Sequence, residues 1–118
     1  MGTFSVLIQV TSQTGARSID VEALVDTGAS HTMLPQELLV SLGVETIERI
    51  SFQLADERVE EYDVGEARIR LDGRERTTLV VFGPAGCGAL LGATTLQLFN
   101  MAVDTVKEQL IPVQGLLK

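Results

Sequence analysis

Cysteine, histidine and positive charge are all scarce in this chain, and each shortage removes a class of function. Cys87 is the only cysteine, so no intrachain disulfide can form. Its Gly86-Cys87-Gly88 setting has no metal-ligand partner at useful spacing, and a reducing, cytoplasmic compartment is the simpler home. His31 is the only histidine. With no second His or Cys to complete a site, no metal or other cofactor is expected, and His31 reads as a partly exposed strand residue beside a loop. Nine Lys and Arg face sixteen Asp and Glu, for a net charge of −7. That balance gives no electrostatic footprint for nucleic acid or an acidic membrane surface. Arg68, Arg70, Arg74 and Arg76 do cluster, but Glu66, Asp72 and Glu75 interleave with them, as on a solvated hairpin face. The N-terminus lacks a basic region followed by an apolar core, and Val6 stands where a myristoylation signal needs Ser or Thr, so no export or lipid anchor is expected. Residues Thr77 to Val103 carry no charge, yet four glycines, Pro84, Gln97 and Asn100 interrupt them. Such a run does not suit a membrane span and reads as the buried centre of a small β-domain.

At 118 residues the chain has the size of one domain, spanning 1–118 and able to bury about two-thirds of its unfolded surface. Strand signals dominate. Phe4 to Thr11 is rich in β-formers, Thr14-Gly15-Ala16 is a turn, and Arg17 to Val25 places Ile19, Val21, Ala23 and Val25 on one face. Pro35 suits the first position of a short helix carrying Leu38, Leu39 and Leu42, and Gly43 suits the left-handed position that ends it. Ile50 to Leu54 and Val59 to Leu71 read as strands around a polar tip. Asp72-Gly73 is a two-residue hairpin turn before the apolar strand Thr77 to Phe82. A second short helix, Thr94 to Asn100, precedes a last hairpin of Met101 to Asp104 and Gln109 to Val113.

The most informative feature is Asp26-Thr27-Gly28, which follows the apolar end of a predicted strand, Ala23-Leu24-Val25. It sets one carboxylate on a tight turn, next to a glycine that lets another chain approach closely. Two other blocks accompany it: Pro35 to Gly43, and Ala89-Leu90-Leu91-Gly92 followed by Leu96, Phe99, Val103 and Asp104. The second apolar block echoes the first, with Gly92 where the first has Asp26. Taken together and in this order, about 60 residues apart as suits one small domain, these blocks resemble the retropepsin-like aspartic proteases, the single-domain relatives of retroviral proteases. The resemblance implies an all-β fold, a closed acid-protease barrel of short strands with one or two short helices, in which the Gly-containing half packs under the other.

It also implies a chemistry. Hydrolysing a peptide without a metal or a covalent nucleophile takes one group to accept a proton from water and another to donate one, and a single aspartate cannot do both. Two carboxylates held close together share a proton, as aspartic proteases are known to do. This chain has only one Asp-Thr-Gly, so the resemblance implies a symmetric homodimer with both Asp26 side chains on the two-fold axis. Its expected partners are therefore a second copy and a peptide or protein substrate. Asp26, Thr27 and Gly28 are the catalytic candidates, with Thr27 bonding across the axis. Ala29 and Ser30 continue as a substrate-facing edge. Ala55, Asp56, Glu57 and Arg58 occupy the place of the hairpin tip that closes over substrate. There the chain departs from the family, because Glu57 replaces a flexible glycine; the tip should stiffen or change its turn type, and it gains negative charge. An alternative stays open at this point: a weakly catalytic domain of the same fold kept for dimerisation or peptide binding.

Overall fold

The computed structural model describes residues 4–117. Alternation in the sequence becomes alternation in space. Strand β1 (Ser5–Thr11) and strand β2 (Ser18–Val25) pair antiparallel from Ser5↔Leu24 to Thr11↔Ser18. Both drive apolar side chains inward: Ile8 and Val10 from one, Ala23 and Val25 from the other. A short strand β3 (Thr32–Pro35) runs directly into helix α1 (Gln36–Ser41). Strand β4 (Thr46–Gln53), the long strand β5 (Val59–Leu71) and strand β6 (Arg74–Gly83) form a meander. Strand β7 (Ala89–Leu91), helix α2 (Ala93–Leu98) and the hairpin of β8 (Met101–Asp104) with β9 (Gln109–Pro112) complete the chain.

The strand order β1-β2-β7-β3-β6-β5, with β5 returning to pair β1, closes a six-stranded barrel. The expected all-β acid-protease barrel with two short helices is therefore what the chain forms. Inside it Leu34, Ile69, Val80, Leu91 and Phe99 are fully buried. Strand β5 belongs to two structures at once. Its second half is a barrel stave, with Arg68 to Arg70 on β1, while its first half leaves the barrel to pair with β4, from Gly65↔Thr46 to Val59↔Gln53. A long hairpin thus projects from the barrel, with Leu54 to Arg58 at its end.

Local signals placed most of these elements to within a few residues. Asp72 and Gly73 both take left-handed φ values, 53° and 76°, as a two-residue turn matching strand twist needs. Gly43 takes φ 75° after α1. Pro35 corrects one expectation, since it is the last residue of β3 and stands just before the helix, with ψ 137°; its extended ψ excludes it from the helix that Gln36 begins. Strand β3 itself went unrecognised. At four residues it is too short for alternation to register. Arg68 and Arg70 lie within 2.8 and 3.7 Å of Glu75, as the interleaved charges of that hairpin implied.

Candidate active site

The repeated apolar blocks meet side by side. Ala23, Leu24 and Val25 pair in parallel with Ala89, Leu90 and Leu91. The ladder continues one step further, for the Asp26 N–H donates to the Leu91 carbonyl at 3.0 Å. Beyond that point the two segments turn and clasp one another: the Ala93 N–H donates to the Ala29 carbonyl at 2.8 Å and the Thr94 N–H to the Ser30 carbonyl at 3.0 Å. Gly92 is required at this crossing. A Cβ on it would lie 2.4 Å from both the carbonyl carbon and the carbonyl oxygen of His31.

The loop holds its own carboxylate. Asp26 Oδ1 accepts the Gly28 N–H at 2.9 Å, and the Ala29 N–H donates to the Asp26 carbonyl at 3.2 Å. Gly28 matters here as well, because a Cβ there would sit 3.1 Å from Asp26 Oδ1 and press on the side chain. Asp26 is half-buried, Thr27 and Gly28 are exposed, and the Thr27 hydroxyl has no hydrogen-bond partner among the described residues. Ala29 is half-buried and Ser30 exposed.

Beside this loop lies a groove of about 620 Å³. Gly28 to His31 form one wall, and Ile50 to Leu54 of the projecting hairpin form the opposite one. Met33, Val81 and Leu90 give it an apolar floor. Of the expected substrate-facing residues, Ala29 and Ser30 line the groove, whereas the hairpin contributes β4 and Leu54 and the tip residues Ala55 to Arg58 stand beyond the lining. The tip is a closed turn in which the Glu57 N–H reaches the Leu54 carbonyl at 2.9 Å. Arg58 folds back on Asp56 at 2.6 Å and on Glu60 at 3.2 Å. Glu57 takes φ 71°, the left-handed backbone that a glycine would adopt without strain.

Among the groove residues to which the sequence reading gave no part in the site, three carry titratable side chains. His31 lies in the bend before β3, with Nδ1 2.8 Å from Ser30 Oγ and its ring edge-on to Phe52 at 5.1 Å. It thereby joins the Asp26 loop to the hairpin wall. Tyr62 donates to Glu60 at 3.1 Å, and burial, reinforced by that carboxylate, pushes its phenol up from the ordinary range. Cys87 reaches the groove from the β6–β7 connection, and burial, with the Glu37 carboxylate second, pushes its thiol up. Sequence adjacency alone set His31 beside the loop, whereas only the fold brings Tyr62 of β5 and Cys87 of the β6–β7 connection to the groove. No group of three or more His, Cys, Asp or Glu suited to a metal ion occurs among the described residues.

Comparison with known proteins decides the family. The family model described as "Aspartyl protease" matches residues 10–97, a stretch that contains the Asp26 loop, the projecting hairpin and the Leu90–Gly92 turn. The chain belongs to the aspartyl protease family. Solved structures agree on the fold. A retropepsin-like aspartic protease from Rickettsia conorii is 18% identical with a TM-score of 0.58, the match covering 88% of this chain and 86% of that one. An EIAV protease solved with an inhibitor is 20% identical with a TM-score of 0.55, covering 81% and 86%. The simian foamy virus protease is 17% identical with a TM-score of 0.54, covering 78% and 92%. No curated protein matches the chain. At these identities the structural likeness speaks for the retropepsin-like barrel, and the family match for the aspartyl protease lineage.

Proposed function

We propose that this aspartyl protease family member is an aspartic endopeptidase that works as a homodimer, each copy a single domain spanning 1–118. The observation that carries the reading is the Asp26 loop, a half-buried carboxylate on a braced turn at the edge of an apolar groove. One such loop per chain leaves the second carboxylate to a second copy. In that dimer the two Asp26 carboxylates sit together on the two-fold axis and share one proton. The ionised one takes a proton from water, the water oxygen attacks the peptide carbonyl carbon, and the protonated one donates to the carbonyl oxygen. The carbon–nitrogen bond then breaks as the leaving nitrogen takes up a proton.

Other residues have supporting parts. Thr27, exposed and unpartnered within the described chain, bonds to its counterpart across the axis. Gly28 holds Asp26 Oδ1 through its N–H and admits close approach. Ala29 and Ser30 line the path of the substrate backbone, while Ala55, Asp56, Glu57 and Arg58 cap the far side of the groove when the hairpin folds over a bound peptide. Peptide and protein substrates suit the open, largely apolar cleft. A cytoplasmic location fits the single free thiol of Cys87.

The test is cleavage of a denatured protein mixture from acidic to neutral pH, with and without a transition-state-like aspartic protease inhibitor. Inhibitor-sensitive cleavage that disappears in Asp26→Asn is the expected result. Tight peptide binding without cleavage at any pH would instead mark a binding or dimerisation module on the same fold.

A further inference from the structure

Behind the Asp26 loop lies a group of buried hydroxyls that the proposed chemistry does not use. Thr32 and Thr95 are fully buried and Thr78 is 5% exposed. Thr32 Oγ1 lies 2.7 Å from Thr95 Oγ1, which lies 3.1 Å from Thr78 Oγ1. Thr32 Oγ1 also accepts the Gly92 N–H at 3.0 Å, and the Thr78 hydroxyl reaches the Leu79 carbonyl at 3.4 Å. Each hydroxyl has one proton to give. Only one assignment uses all three protons among these partners: Gly92 N–H to Thr32, Thr32 to Thr95, Thr95 to Thr78, and Thr78 to the Leu79 carbonyl. The chain is therefore directed, and bonds aligned in this way strengthen one another where the surroundings are dry.

We infer that Thr32, Thr95 and Thr78 are positioning residues that fix the Asp26 loop through Gly92. Three backbone bonds tie the Leu91–Thr94 turn to the loop, at Asp26, Ala29 and Ser30. The Gly92–Thr32 bond closes the loop's far end. Without it, the turn would keep its backbone bonds to the loop and the Met33↔Leu90 pairing of β7 with β3, but lose its buried side-chain anchor. The hydroxyl chain extends that anchor through α2, which carries Thr95, to the barrel stave β6, which carries Thr78 and Leu79. Asp26 is thus referenced, through Gly92 and Thr95, to the paired strands β3 and β6, which carry Thr32 and Thr78. Valine would fill the same volume but leave the buried Gly92 N–H without an acceptor, and the connected, fully satisfied set of hydroxyls points to orientation as its purpose.

This inference rests on the proposed role of Asp26, so its test keeps two readouts apart. Thr32→Val and Thr95→Val keep the side-chain shape and remove the hydroxyl; Thr32→Ser restores it. The first readout is amide exchange. In the valine variants the Ala93 and Thr94 amides should exchange about tenfold faster while the β1–β2 ladder is unchanged, as in a local opening. The second is peptide cleavage per active site, counted by titration with a tight-binding inhibitor. There kcat should fall about tenfold with KM within about twofold, since a displaced reacting group loses rate more than binding, and Thr32→Ser should recover both readouts. Uniformly faster exchange, unchanged kcat per counted site, or a serine variant no better than valine would each overturn the inference. If the wild-type protein cleaves nothing, the proteolytic reading fails by itself and amide exchange alone decides whether the hydroxyls position the loop.

Discussion

Asp26 and Gly92 occupy matched places at the ends of two paired strands, and substitutions there should separate chemistry from architecture. Asp26→Asn keeps an oxygen for the Gly28 N–H while removing the ionisable group, so hydrolysis should vanish with fold and association intact. Its stability should be equal or higher, because two like charges held close together oppose association; a clearly lower melting temperature would count against paired carboxylates. Gly92→Ala should do the reverse and attack the structure. Its Cβ meets backbone atoms of His31 at 2.4 Å, and backbone cannot rotate aside as a side chain can, so a loss of about 3 kcal/mol is expected in chemical denaturation. A loss below about 0.5 kcal/mol would mean that the crossing is looser than its hydrogen bonds imply. Cys87 offers a pH-dependent check. Its thiol pKa is raised above the ordinary 9.0 by burial first and Glu37 second, so the folded state holds the proton more tightly than the unfolded one. That contribution is full below the unfolded thiol's pKa and lost as pH rises through the folded value. Alkylation of Cys87 should accordingly rise with pH along a curve displaced to the alkaline side of a free thiol, with Glu37→Gln moving it part of the way back. A curve coinciding with that of a free thiol would place Cys87 in open solvent.

At the scale of elements, the projecting hairpin is where composition and conformation pull apart. Glu57 holds a left-handed φ of 71° at the cost a side chain incurs there, and its carboxylate has no ion-pair partner among the described residues. Glu57→Gly should relieve that strain and raise stability by about 0.5–1 kcal/mol, part of the gain being offset by the freer unfolded chain. The same variant should relax a bias against acidic peptides and lower the pH optimum, if the tip folds over the groove as proposed. Identical pH–rate profiles on neutral and acidic peptides at low salt would place the tip away from the substrate. Such hairpins and turns were legible in the sequence because their signals are local: alternation in β2, Asp72-Gly73, and Gly43 after α1. Strand β3 and the helix start at Gln36 were not, since a four-residue buried strand is set by its neighbours β6 and β7. Groove walls were hidden for the same reason. His31 faces Phe52 across 21 positions of sequence, and Cys87 reaches the groove from a connection that no periodicity marks.

The described residues form a closed barrel that presents the Asp26 loop on one side of a groove and a projecting hairpin on the other. Its blocks were readable because the barrel brings the two apolar repeats into parallel register, Ala23 on Ala89 and Val25 on Leu91, so a faint echo in sequence became a physical pairing. On the proposed reading the second carboxylate comes from a second copy, and that is the central claim. Mixing wild-type protein with Asp26→Asn at constant total concentration, after subunit exchange has reached equilibrium, tests it most directly. If the working site needs an Asp26 from each of two copies, only wild-type pairs cleave, and activity falls with the square of the wild-type fraction, to about one quarter in an equal mixture. Activity that falls linearly, to about one half in that mixture, would show that each chain cleaves with its own Asp26 and would contradict the account.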